Sequence, residues 1–284
     1  MVKFGPAGTS ENMKSLGAKK SLFVPKILNE MGLDAFEYQC GNGVTISLSS
    51  AEALGEEFRK WNVTPSVHAP YYISMSSVDE AKRDKSVDYI LQTARVAKAM
   101  GADRIVVHTG SCAKISREEA LAYASETLKK ARKALDDEGL GEVSVCPETM
   151  GKINQLGTLE EVLFLCGEDE RLIPCIDFGH LNARTLGGIR TKADYAEILD
   201  RIRDQLGEYR GRNFHSHFSK IEYTAGGEKR HLTFEDAQFG PEFEPLAELV
   251  AERDLSPRFI CESSGTMDTD ALWMKRCYWE KKGV

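Results

Sequence analysis

The segment Pro174-Cys175-Ile176-Asp177-Phe178-Gly179-His180-Leu181-Asn182 carries the most informative chemistry in the chain. A short apolar run, Leu172–Ile176, reads as a buried strand and leads straight into an acid and, three residues later, a histidine. An oxygen donor and a nitrogen donor leaving the end of a core strand have no evident packing use. The pattern recurs: His68, His108, Glu148, Asp177, His215 and Glu262 each follow the last apolar residue of a strand-like run, and His180 and His231 fall on loops just beyond. Crowded carboxylates repel one another and resist burial unless a cation compensates. A mixed imidazole and carboxylate set without thiolates suits catalytic zinc, manganese or iron rather than structural zinc. More than four candidate donors imply more than one ion. Adjacent divalent ions suit phosphoryl transfer, because they stabilise both attacking and leaving oxygens and generate hydroxide at neutral pH.

Each of these residues also has a plain structural reading. Glu148 or Glu262 could cap the following helix, and Asp177 is a suitable N-cap. His217, alternating with His215 on the same strand, reads as a packing or supporting residue. The metal reading gains from the set taken together, since all six histidines fall at strand ends or in the loops after them and none in a helix-like stretch.

The elements that must position these donors alternate along the chain. Strands are expected at Lys3–Gly5, Ala35–Gln39, Val63–Val67, Arg104–Val107, Val143–Cys146, Leu172–Ile176, from Asn213–Phe214 into His215 and His217, and at Phe259–Cys261. Amphipathic runs separate them. One spans about 18–31, weakened by Pro25. Another opens on a capping box at Ser49–Glu52 and presents Leu54, Phe58 and Trp61 on one face. Others run from Asp79 to Met100, from Ser116 to Asp137, from Thr158, through Tyr195–Leu206, around Leu246–Ala251, and past Trp273. His231 and Gly240 are expected in a long loop. Eight βα units without an internal linker imply a single-domain (β/α)8 barrel over 1–284, whose strand ends all point to one rim. No Gly-x-Gly-x-x-Gly follows the first strand, which disfavours an open dinucleotide-binding sheet.

A formal charge of −7 gives no global basic signature, so nucleic-acid binding cannot be argued from net charge and any such partner needs a local positive region or bound cations. The seven cysteines are scattered, with no Cys-x-x-Cys pair. Together with an N-terminus lacking an apolar signal region and the absence of a run long enough to span a bilayer, they lead us to expect a cytoplasmic protein with no membrane partner.

His68-Ala69-Pro70-Tyr71, Val107-His108-Thr109-Gly110, Pro147-Glu148-Thr149, Cys175-Ile176-Asp177-Phe178-Gly179-His180, His215 with Ser219-Lys220, Arg230-His231 and Cys261-Glu262-Ser263 resemble, in order and spacing, the endonuclease IV family of apurinic/apyrimidinic endonucleases. The resemblance implies a TIM barrel with three zinc ions that cleaves double-stranded DNA on the 5′ side of abasic sites. It assigns His68 and His108 to one zinc, with Glu148 bridging to a second. Asp177, His215 and Glu262 complete the second site, and His180 and His231 hold the third. Glu148 is the residue implied to orient or deprotonate the attacking hydroxide, and Tyr71 matches an aromatic placed against DNA. Two or three Zn2+ are expected, with Mn2+ the alternative, in a monomer.

The chain departs from the family at two places. Where the family has an aspartate two residues before its last zinc histidine, this chain has Lys229, so either Glu228 substitutes, the third site is lost, or the Lys229 ammonium supplies charge near the phosphate. No arginine follows the second strand; the loop reads Gln39-Cys40-Gly41-Asn42-Gly43. The rival enzyme class is a xylose-isomerase-like sugar isomerase or epimerase using Glu148, Asp177, His215 and Glu262 around a single Mn or Mg ion, and a non-catalytic DNA- or partner-binding relative is the third reading.

Overall fold

The structure, a computed structural model, describes residues 1–283. Among these, ten strands occur in chain order: β1 (Lys3–Pro6), β2 (Ala35–Gln39), β3 (Thr64–His68), β4 (Arg104–Val107), β5 (Ser144–Pro147), β6 (Cys175–Asp177), β7 (His215–Phe218), β8 (Ile221–Thr224), β9 (Gly227–His231) and β10 (Arg258–Cys261). Two parallel arcs, β2-β3-β4-β5 and β1-β10-β7-β6, make up the wall. They meet at two seams. At one, Ala7 bridges Glu37 and the Gly8 N–H donates to the Glu37 carbonyl at 2.9 Å; at the other, Glu148 bridges Cys175 and the Thr149 N–H donates to the Cys175 carbonyl at 3.0 Å. The sheet is therefore an eight-stranded parallel barrel, with β8 and β9 forming a separate antiparallel hairpin.

Alternation along each strand divides the residues between two cores. Phe4, Phe36, Val67, Ile105, Val107, Val145, Ile176, Phe214 and Phe259 join the large core shared with the helices. Val106, Cys146, Ile173 and Cys175 form a small separate cluster, the apolar layer inside the barrel. Below it, the buried Arg258 closes the bottom, donating to the Pro65 carbonyl at 3.1 Å and to Asp103 at 2.8 Å. Above it, the interior is polar, and this upper layer is the site.

Local signals explain most helix boundaries. Ser116 and Thr158 form reciprocal capping boxes with Glu119 and Glu161. Asp79 caps Glu80–Met100, which ends on a left-handed Gly101 (φ 74°). Pro25 sits in the first turn of Val24–Met31, where its missing N–H costs nothing, and a 3-10 turn at Ser21–Phe23 replaces the expected earlier start. The Leu48–Lys60 helix has Ser47 as cap, two residues before the expected box, because the Ser47 hydroxyl accepts from the Ser50 N–H at 3.2 Å. After β6 the chain makes a short helix, Phe178–Arg184, before the long Lys192–Arg212 helix, which is interrupted at Gly207. The expected loop through His231 is in part the β8–β9 hairpin. Its short polar strands lack the apolar alternation that would have marked them.

Candidate metal centre

Four strand ends, the helix after β6 and the hairpin deliver donors to one cavity of about 460 Å³ at the C-terminal rim, lined among others by His68, Tyr71, His108, Glu148, His180, Glu228, His231 and Glu262. The buried Asp177 and His217 stand close to Glu148 and Glu262. Glu148 stands at its centre. One carboxylate oxygen lies 3.3 Å from both His68 Nε2 and His108 Nε2; the other lies 3.0 Å from His217 Nδ1 and 3.4 Å from His180 Nδ1. Three sets of donor atoms, each lying within 4.8 Å of one another, share this rim: His68, His108 and Glu148; Glu148, Asp177, His217 and Glu262; and His180, Glu228 and His231.

Backbone and hydroxyl partners fix the orientation of several imidazoles. His68 Nδ1 is 2.8 Å from the Ala69 carbonyl, which fixes the ring with Nε2 turned toward Glu148 at 3.3 Å. His180 Nδ1 faces the Thr149 carbonyl at 2.9 Å, and His231 Nδ1 faces the Ser219 hydroxyl at 2.8 Å. Asp177 does both jobs that its sequence position allowed. Its Oδ1 caps the Phe178–Arg184 helix, accepting from the His180 N–H at 2.7 Å, while the wholly buried Oδ2 accepts no aligned hydrogen bond and lies 3.1 Å from His180 Nδ1. A buried carboxylate oxygen with no aligned donor, set among converging imidazoles and acids, is a poor arrangement for a stable core and a good one for a cation. Gly151 keeps the third set open, since a Cβ there would stand 2.6 Å from Glu228 Cβ and 2.9 Å from His180 Cδ2.

The charges show the same strain. Burial alone pushes the Glu148 carboxyl up, but the charge of His217 and hydrogen bonds from His108, His180 and His217 hold it well below the usual carboxylate range. Burial, reinforced by Glu262 and Glu148, raises Asp177 against the pull of His180. Burial also opposes the imidazolium of His180, yet Asp177, Glu148 and Glu228 raise it to about 10. The protons on these imidazoles supply positive charge that bound cations would otherwise bring.

Two expectations need correction. His215 is not at the rim. The β6–β7 register sets His217 opposite Asp177 and His215 opposite Cys175, one layer deeper, so His217 faces Glu148 and Glu262 while His215 donates to Glu37. Strand β7 runs on to Phe218, and counting His215 as the first residue after the apolar run is what misassigned the pair. Lys229 does not face the cavity either. It is exposed and pairs with Glu222 at 2.5 Å. In the hairpin Glu222 pairs with Arg230 and Tyr223 with Glu228, which leaves Lys229 as the extra residue of a β-bulge. The bulge returns Glu228 to the face of His231, and Glu228 Oε2 lies 3.4 Å from His180 Nε2. Tyr71 is half exposed over the cavity, its ring centroid 6.1 Å from that of His68 and 6.2 Å from that of His108. The sequence reading missed Glu37, a wholly buried acid whose place between Phe36 and Tyr38 in a strand is itself a sign that it faces inward.

Residues 25–277 match the family described as xylose isomerase-like TIM barrel. The chain belongs to that family. Within the xylose isomerase-like barrels, an uncharacterized protein of Methanocaldococcus jannaschii is 31% identical over 278 residues, 98% of this chain and 97% of that one. The probable endonuclease 4 of Mycoplasma pneumoniae is 29% identical over 192 residues, which are 66% of this chain and 63% of that protein. Endonuclease IV from Thermus thermophilus superposes with a TM-score of 0.67 at 18% identity, covering 98% of each chain. A D-tagatose 3-epimerase-like protein does so with a TM-score of 0.67 at 20% identity, covering 99% of this chain and 97% of that one. Proteins named as an endonuclease and as an epimerase-like protein thus share this scaffold, and the structural likeness carries the fold alone.

Proposed function

We propose that the protein is a metal-dependent hydrolase of DNA phosphodiesters, of the endonuclease IV type, acting 5′ to abasic sites. The observation that carries this reading is the number and arrangement of donors around Glu148. A single-ion sugar isomerase needs only Glu148, Asp177, His217 and Glu262; here His68 with His108, and His180 with Glu228 and His231, build two further donor sets in the same cavity.

Divalent cations held there, zinc being the best match to the donor set, would supply Lewis acidity toward a phosphate and a nucleophile at neutral pH. His68 and His108 would hold one, Asp177, His217 and Glu262 a second, and His180, Glu228 and His231 a third, with Glu148 shared by the first two. The chain's own part is positional. Glu148, kept ionised by His217, His108 and His180, is poised to accept and hold a proton beside the scissile bond. The Asp177 cap and the Thr149 carbonyl keep His180 from turning away. Tyr71 presents a half-exposed ring at the mouth, suited to packing against a sugar or base.

Incubation of the purified protein with a duplex carrying one abasic site should give a single 5′ incision, abolished by chelation and by Glu148→Gln. A metal-loaded protein that leaves this duplex intact but epimerises ketoses would replace the reading with the isomerase one.

A further inference from the structure

Beneath the rim lies a wholly buried carboxylate that lines no part of the cavity. Glu37, in the middle of β2, is fully buried and ringed by polar side chains. Its Oε2 accepts from Ser66 Oγ at 2.9 Å and from His215 Nε2 at 2.9 Å. Its Oε1 accepts from Gln39 Nε2 at 3.3 Å and lies 2.9 Å from His217 Nε2. That last contact is close but tilted off hydrogen-bond alignment, while the opposite edge of the ring directs Nδ1 at Glu148. An isolated acid in the apolar middle of a barrel is costly unless it serves a partner.

We propose that Glu37 is a positioning residue: it anchors the back of His217, and through His215 the layer below, so that His217 presents a bare Nδ1 to the second donor set. Donor atoms of Glu37, His68 and His217 also lie within 4.8 Å of one another, but Ser66, Gln39 and His215 already occupy both Glu37 oxygens, which casts it as support for a ligand. A carboxylate behind an imidazole fixes the ring and its tautomer and makes the facing nitrogen a stronger donor. His215 completes the arrangement from below, since β7 carries both imidazoles on one interior face and Glu37 spans the gap between them. Two histidines two residues apart on one strand thereby divide the work, one presented to the cavity and one bracing the acid that orients it.

The inference rests on the reading of the rim as a metal centre, and the experiment separates the two. Zinc is titrated into chelated wild-type protein, Glu37→Gln and Ser66→Ala, with a calorimetric or competition readout and folding followed by circular dichroism. Glu37→Gln should weaken one class of ion by about 10- to 100-fold, leaving the others near wild type. Ring 15N spectra of the zinc-loaded wild type should show His217 protonated on Nε2, and the variant a mixture of tautomers, a change that loss of packing alone would not give. Should Glu37→Gln fail to fold, Ser66→Ala, which frees the carboxylate on one side without removing it, should weaken the same ion roughly threefold or more. Folded variants that bind every ion as tightly as wild type, with the His217 tautomer unchanged, overturn this inference alone. A wild type that binds no divalent ion overturns it together with the metal centre.

Discussion

His180 holds a proton at neutral pH because Asp177, Glu148 and Glu228 surround it, and those are the acids that a cation would engage. A ligand imidazole must be neutral, so filling the His180, Glu228 and His231 set must expel that proton. With the pKa raised to about 10, His180 is charged throughout the range from about pH 6 to 9. Zinc uptake at neutral pH should therefore release at least about one proton per chain from this set, and its affinity should rise roughly tenfold per pH unit up to about pH 9. Titration calorimetry in two buffers of different ionisation enthalpy measures the release directly, and pH-independent binding would contradict it. The residues that report this chemistry were largely legible as residue types at strand ends. His217 was not, because the ligand position depends on which layer a residue occupies, and adjacent layers along one strand share a face. Only pairing with β6 tells Asp177's neighbour from Cys175's.

At the scale of elements, the capping boxes at Ser116 and Thr158 and the strand-ending donors came from local pattern alone, whereas the β8–β9 hairpin did not. Its strands, Ile-Glu-Tyr-Thr and Gly-Glu-Lys-Arg-His, cover the rim and bury little, so no hydrophobic period announces them. That hairpin decides how the acid three residues before His231 reaches the cavity. In a regular ladder, residues two apart share a face, and Glu228 would point away; the extra residue at Lys229 restores it. Deleting Lys229 should remove the bulge and set Glu228 two residues before the histidine, still on its face. That variant should keep its full complement of zinc, whereas Glu228→Gln should lose about one ion per chain. Lys229→Asp, which puts an acid on the Glu222 side, should gain none. Metal analysis of the three proteins after gel filtration checks the set, and loss of an ion on deleting Lys229 would refute the geometric account.

In the whole molecule the barrel closes at two seams, and each is thin. Between β1 and β2 a single bridge joins Ala7 to Glu37; between β5 and β6 a single bridge joins Glu148 to Cys175. The second seam differs because Glu148 and Asp177, leaving β5 and β6 just above it, belong to one donor set. Without a cation, these two buried acids repel across the place where backbone pairing is weakest, and burial together with Glu148 and Glu262 already raises Asp177. An ion held between them would act as a staple on that seam. Zinc at roughly 1,000 times its dissociation constant would then stabilise the fold by about 4 kcal/mol per site. That gain should be localised. On chelation, amide exchange should accelerate at Thr149, at Asp177 and in the first turn of Phe178–Arg184, while the β2–β3 pairing from Ala35 to Gln39 keeps its protection. The β1–β2 seam at Gly8, which the Glu148, Asp177, His217 and Glu262 set does not join, serves as the internal control. Uniform acceleration of both seams would mean that the ions stabilise the barrel only globally and that the β5–β6 junction gains nothing special from them.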